Sequence, residues 1–594
     1  MDKKNTIIGV GLLLAAFVAM YFTNKNQPRP PAPASVPAVA TAAGAPAAAP
    51  LAAAVAPGSR PYSMPAGTPD DQQLVALSND SLVVTFSNYG GAIRDVAFRQ
   101  HPAVKGAPEP YIFNRQHVAP ILAFVGYPQL DANTVWELAE RVTGRVAYRA
   151  VTDGKLEVVR TFVLPQPGEP GDPYRIQVTT TLRNLSELPL GAQRVALNLG
   201  TATLVDQHDT GTYLNAALWD GEDMTYVAAT DLVGGGFLAG ITGGDTAPKA
   251  FIEKPAKAVW GAVKNQFFAS IFTPDQPGTG VIVRRVKVAT DRPDSDIKAY
   301  GVTSDFYLEF PRIEPAATAT LGGKLYVGPK EYSRLKEFEK REEKAMQFDG
   351  YFFNRIFLAG FFAPLLLTLL VWFQSFVGNW GWAIILTTLL LKIVTLPLTL
   401  SAAKSSKRMA KIQPRLKEIN EKYADNPQKK QKATMELFKE AKVNPVGGCL
   451  PILITMPFFI GFFAMLQTSS ELRFAEFLWV TDLASPDTVG HLFGIPINPM
   501  PLLMGVTSLV QMQLMPTPSM DNAQAKMMKF MPLMFVFFCY TFGSGLALYW
   551  TISNAFTIGQ QLIINRMPDH DPLVPVPVGG VKNVTPTGKR PKKK

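Results

Sequence analysis

The residue with the most to explain is Lys392. It is the twelfth of 21 residues in the apolar run 381–401, near mid-bilayer if that run crosses a membrane. A lysine at the centre of a membrane helix costs about 2.5–3.5 kcal/mol on insertion scales, so it should face a polar or water-filled interior. Its neighbours support that. At 100° per residue, Thr388, Thr395 and Thr399 fall within about 60° of Lys392 on the helical wheel. The rest of the run is mostly Leu, Ile and Val. A second polar face lies in the run 531–565, where Trp550, Asn554, Thr557 and Gln561 share one side, and 499–515 adds Thr507, Ser508 and Gln511. Snorkelling of Lys392 to a headgroup is the rival reading. From mid-span the reach is marginal, and it leaves the threonine stripe unexplained. The conjunction points to a hydrated groove that can attract acidic or polar segments.

Other chemistry is poorly supported. Lys392 is the one formally charged side chain in the apolar runs taken as spans. With no carboxylate beside it, a proton relay, an internal ion pair and a cation channel are disfavoured. Cys449 and Cys539 sit in apolar runs and read as packing residues. The five histidines are scattered, with no metal-ligand spacing. No G-x-x-x-x-G-K-[ST] stretch occurs, and no carboxylate pair or Ser/His/Asp set stands out. No enzyme activity, metal, cofactor or DNA partner is expected. Nine methionines fall between 500 and 534, suited either to varied apolar clients or to plain helix packing.

The elements that must position these residues are membrane helices. The chain of 594 residues is 47% hydrophobic and 18% charged, with a formal charge of +11. Apolar runs occupy 6–22, 356–377, 381–401, 447–468, 499–515 and 531–565. As one straight helix the last would measure about 52 Å against a hydrocarbon core of about 30 Å. Gly543-Ser544-Gly545 can break it, so it reads as two spans. Segment 402–446 carries twelve Lys/Arg against five Asp/Glu and is placed in the cytoplasm. Loop 469–498, with four acidic residues and Arg473, falls outside. One crossing, 381–401, then joins an outer domain to the cytoplasm, and 353–377 is expected in the outer interface. The expected result is a polytopic α-helical membrane protein of six spans with a five-helix core, both ends cytoplasmic.

The domain reading follows. Residues 1–23 form an N-terminal anchor, with a cleaved signal peptide as the rival. Residues 24–70 are a Pro/Ala-rich linker. Residues 71–330 are a large all-β sandwich, because stretches such as 82–88, 155–164 and 174–184 alternate at period two between Gly/Pro turns. Residues 331–378 are connecting and interfacial helices. Residues 379–566 are the five-span core, with a cytoplasmic helical hairpin at 402–446. There Met409, Ile412, Leu416 and Ile419 recur at spacings of three and four. Residues 567–594 are a basic tail.

Several stretches carry a resemblance, in order along the chain: SFVGNWGWAI (375–384), KVNPVGGCLPILITMPFF (442–459), ELRFAEFLWVTDL (471–483), KMMKFMPLMF (526–535) and FGSGLALYWTISNAFTIGQQ (542–561). With the anchor, linker and outer β domain, the chain resembles the YidC insertases of Gram-negative bacteria over nearly its full length. The resemblance implies an inner-membrane insertase and chaperone for newly made membrane proteins. Its groove would open to the cytoplasm and the lipid and be closed toward the periplasm. The family's basic groove residue is usually arginine; the matching position, five residues before Pro397, is Lys392. Its charge is kept without the guanidinium fork. The groove threonine one turn earlier resembles Thr388. The resemblance also implies a periplasmic β-supersandwich similar to sugar-binding folds. The implied partners are nascent membrane-protein substrates, the Sec translocon, the ribosome and the lipid bilayer. Two alternatives remain: an anion-coupled solute transporter using Lys392, and a membrane-anchored carbohydrate-active domain.

Overall fold

The computed structural model describes residues 72–127, 129–233, 248–289, 291–293, 296–441, 450–514, 534, 536, 537 and 539–566. The expected anchor 1–23, the whole linker 24–70, loop 516–530, half of the 531–540 stretch and the basic tail lie outside the described residues. The chain divides into two compact units. One comprises residues up to Ile384 with Pro457–Pro499 and Tyr540–Leu546; the other comprises Ile385–Met456, Met500–Cys539 and the chain from Ala547 on.

The first unit is built mainly on antiparallel sheets. A nine-stranded sheet runs in the order Met224–Ala228, Asn215–Trp219, Trp260–Lys264, Phe268–Pro274, Thr318–Pro329, Arg175–Asn184, Leu156–Val163, Arg145–Thr152, Glu137–Val142. A five-stranded sheet orders Phe251–Ala258, Gly278–Lys287, Tyr300–Phe310, Gln193–Ala202, Phe124–Val125, and a four-stranded one follows the chain from Leu74 to Phe113. Leu156–Val163 alternates between buried and half-buried side chains, as a strand with one face on the core must. Phe268–Pro274 is buried at every position and Tyr300–Phe310 at all but one. These strands are covered on both faces, so their sequences show no period of two. Gly91 has φ +51 and lies so close to the Trp136 ring that a Cβ would come within 2.6 Å of it. Only glycine fits that approach.

The segment after the last strand folds back onto the sheets. The buried Glu342 carboxylate accepts from Arg175 Nη2 and Thr273 Oγ1, each at 3.0 Å. Trp260 Nε1 donates to Lys340 O, and Asn215 Nδ2 and Lys264 Nζ both donate to Gln347 Oε1. Residues up to about 348 thus share the β domain's polar interior. Helix Phe352–Ile356 follows, and then α1, Ala359–Val377, separated from it by Leu358 at φ 53. The Gly378 N–H at φ +66 closes α1 on Gln374 O.

Helix α2 spans Trp380–Lys422. Asn379 Oδ1 caps its start, accepting from Gly381 N and Trp382 N. Two separate helices are expected on either side of residue 402, but α2 runs straight through. At 1.5 Å per residue its 43 residues measure about 64 Å, twice the bilayer core. The sequence explains this: Ser401-Ala402-Ala403-Lys404 contains neither glycine nor proline. Asn426 Oδ1 accepts from Lys429 N and Pro427 sits at the first helical position, starting α3, Pro427–Glu440. Met409, Ile412 and Leu416 of α2 pack on Leu437 of α3, with Ile419 and Phe438 beside them. The remaining long helices are α4, Leu450–Thr468, α5, Pro499–Leu514, and α6, Ser544–Arg566. Gly543 lies just before α6 and Gly545 within its first turn, so the helix begins at Ser544, between the two glycines expected to break the run. Among the described residues, two helices are long and apolar enough to cross a membrane: α1 and the 380–403 part of α2. Residues 455–468 form a shorter apolar helix.

Candidate functional site

Lys392 points away from the exposed side of α2. Ile393, Val394 and Leu398 are more than half exposed and occupy the opposite arc of the helix. Lys392 itself is half-buried, and its Nζ donates to Thr557 Oγ1 on α6 at 3.1 Å. The Thr557 hydroxyl gives its own proton to Ser553 O at 2.8 Å, which leaves a lone pair for the ammonium. Further along both helices, two turns past Lys392 on α2 and one past Thr557 on α6, Gln560 Nε2 donates to Thr399 Oγ1 at 3.2 Å. Thr388 is fully buried, one turn on the other side of Lys392. The Thr395 hydroxyl bonds its own helix, at Leu391 O.

The same face of α6 reaches a second helix. Asn554 is buried, with its amide 2.8 Å from Ser508 Oγ and 3.1 Å from Thr507 Oγ1 on α5. Oriented so that its nitrogen donates to Gln511 Oε1 at 2.6 Å, its oxygen accepts from those hydroxyls and from Trp550 Nε1. Gln561 is buried and donates to Asn565 Oδ1 along its own helix. The residues expected on one face of α6 therefore divide between two neighbours. Trp550 and Asn554 meet α5, while Thr557 and the unforeseen Gln560 meet α2. Gln560 is legible in hindsight as the position three after Thr557 and seven after Ser553. None of α2 from 380 to 403, α5 or α6 contains an Asp or Glu, so the ammonium faces only neutral partners there.

A second cluster, in the first unit, joins the β domain to the loop after α4. Arg473 Nη1 and Nη2 donate to Pro102 O at 2.7 Å and Ala103 O at 2.9 Å. The guanidinium lies over the rings of Phe474, Phe268 and Tyr111. Lys105 pairs with Glu476 and donates to Thr481 O. Ser470 Oγ donates to Lys330 O at 3.2 Å. Burial, with Arg473 and Arg334 adding repulsion, pushes the His101 imidazole down to about 4. Burial pushes the Glu471 carboxyl up to about 8, and its Oε2 has no hydrogen-bond partner among the described residues. Burial also takes the Lys330 ammonium down to about 7. Among the described residues no group of His, Cys, Asp or Glu is arranged to hold a metal.

Two family models match the chain. "60Kd inner membrane protein" covers residues 372–571 and "YidC periplasmic domain" covers 74–361. The membrane protein insertase YidC of Chlorobaculum tepidum is 30% identical over 517 residues, which is 83% of this chain and 82% of that one. The YidC of Pseudomonas fluorescens is 36% identical over 359 residues, 60% of this chain and 57% of that one. A crystal structure of an active YidC insertase with its first transmembrane domain resolved aligns with 83% of this chain and 93% of that chain, at 18% identity and a TM-score of 0.32. On the extent and identity of the sequence matches, the chain belongs to the YidC family of membrane protein insertases.

Proposed function

We propose that this protein inserts newly synthesised membrane proteins, and helps them fold, through the polar seam around Lys392. The observation that carries the reading is the bond from Lys392 to Thr557, between two helices whose other faces are largely apolar. A client's short polar segment enters the seam, where the ammonium attracts acidic groups and the hydroxyls and amides replace lost water. That lowers the desolvation cost of moving polar backbone into the membrane. The client's apolar helix then partitions along the exposed Ile393/Val394 side into lipid. Hydrophobic transfer supplies the driving force, so no nucleotide is required.

The finer architecture belongs to the same proposal. Six spans, both termini cytoplasmic and a periplasmic β domain follow from the charge of the loops. The basic α2–α3 hairpin and the tail would face the ribosome, and the β domain would face the Sec translocon. None of the named relatives supports the transporter alternative.

The test is Lys392→Ala and Lys392→Arg in a strain depleted of its own insertase. Alanine should fail to restore insertion of clients with acidic translocated segments, and arginine should restore it. Full insertion by the alanine variant would remove Lys392 from the mechanism.

A further inference from the structure

The loop between α4 and α5 ends in two tight turns that carry large apolar side chains outward. In the first, Phe477 and Val480 exchange backbone hydrogen bonds of 2.9 and 2.8 Å, leaving Leu478 and Trp479 at the tip. In the second, strands Gly490–Leu492 and Ile495–Ile497 pair antiparallel with Leu492 opposite Ile495, so Phe493-Gly494 forms a two-residue turn. Phe493 is 96% exposed and Leu478 71%; Leu492 and Ile495 are each more than half exposed.

These are unusual residues for such positions. Leu478 has φ 53, Phe493 φ 51 and Gly494 φ 80. Two-residue hairpin turns with left-handed backbone normally take Asn-Gly or Asp-Gly, which tolerate φ > 0 and like water. A bulky apolar residue there is strained as well as exposed, and strain of this kind gathers at functional surfaces. The first tip is tied to the segment leading into the second, because Trp479 Nε1 donates to Asp487 Oδ2 at 3.0 Å. The base of the second turn is fixed where Asn498 Nδ2 donates to Tyr540 O and Tyr540 Oη donates to Pro496 O.

We infer that these two tips form an interfacial anchor that inserts Leu478, Trp479, Leu492, Phe493 and Ile495 into the outer leaflet of the bilayer. This rests on α4 and α5 crossing the membrane. Chain continuity selects lipid as the occupant. Phe493 lies six residues before Pro499, so at about 3.3 Å per residue it stays within about 20 Å of the start of α5. Between Thr488 and Asn498 there is no Lys, Arg, Asp or Glu, so the second tip carries no fixed charge that headgroups and acyl chains would have to accommodate. Leu, Phe and Ile beside an indole whose N–H is already bonded suit the boundary between headgroups and acyl chains.

The full chain with Cys449 and Cys539 replaced by serine would carry single cysteines labelled with an environment-sensitive nitrobenzoxadiazole dye, reconstituted in phosphatidylethanolamine/phosphatidylglycerol vesicles. At Leu492→Cys or Phe493→Cys the dye emission should shift to shorter wavelength. It should be quenched by lipids bearing a nitroxide high on the acyl chain and resist aqueous iodide. Glu222→Cys, at an exposed turn of the β domain, gives the water-exposed reference. Val506→Cys, an exposed position on α5, reports separately on whether that helix lies in lipid. Lipid quenching at 506 with iodide quenching at 493 would overturn the anchor and leave the spans intact. Iodide quenching at both would overturn the span on which it rests. Shielding at 493 from both quenchers would mean a protein surface covers the tip, and would overturn the lipid assignment.

Discussion

Lys392 Nζ and Thr557 Oγ1 stand 3.1 Å apart, and that bond links α2 to α6 at the one charged position in the apolar part of α2. The threonine is oriented for it, since its proton is committed to Ser553 O.

Thr557→Val keeps the shape and removes the acceptor. Hydrogen bonds between membrane helices are worth about 0.6 kcal/mol on average, up to about 1.7. Insertion of groove-dependent clients should slow about three- to twentyfold, less than for Lys392→Ala, as read by pulse-labelled protease protection. A loss as complete as that of Lys392→Ala would mean that the hydroxyl does more than hold the ammonium.

Arg473→Lys keeps the charge but cannot reach two carbonyls with a flat fork. Bonds of a charged donor contribute about 1.5–3 kcal/mol each. Hydrogen–deuterium exchange should rise at residues 101–105 and 473–484, with little change in the strands of the nine-stranded sheet. Unchanged exchange at 101–105 would show that the aromatic contacts hold the loop without the fork.

Glu471 gives a pH dependence with a definite sign. The native carboxyl holds its proton to about 8, while an exposed one releases it near 4.5. The folded state therefore binds the extra proton across that window, and stability falls as pH rises from about 4.5 to about 8. Glu471→Gln stays neutral throughout. Its Tm should exceed that of the parent by a few degrees at pH 8 and match it near pH 4.5, on the order expected for one ionisation. An equal difference at both pH values would place the effect in packing rather than in charge.

What could be read from the sequence depended on local contrast. Lys392 was visible because one charge interrupts an apolar run, and its threonines because the helix period aligns them. Gln560 falls outside the face that Trp550, Asn554, Thr557 and Gln561 define in the sequence; two neighbouring helices share that side, and Gln561 turns to Asn565 instead. The alternating strand Leu156–Val163 lies on the core as its pattern requires, whereas Phe268–Pro274 is covered on both faces and shows no alternation. Arg473 counted only as a loop charge. Its carbonyl partners and its ring neighbours Tyr111 and Phe268 come from the distant β domain, so no local spacing could signal them. The unbroken α2 is hidden in the sequence because its composition changes at residue 402 while its helix propensity does not.

In the proposed mechanism the side of α2 bearing Lys392 is wet while the opposite side faces lipid. Single cysteines at Thr395, Thr399 and Gln560, compared with Ile393 and Val394, would be exposed to a membrane-impermeant maleimide in inside-out vesicles. A thiol reacts only where water can ionise it. Rapid labelling is expected at 395, 399 and 560, with at least tenfold slower labelling at 393 and 394. Equal, slow labelling at all five positions would show a dry seam and contradict the mechanism.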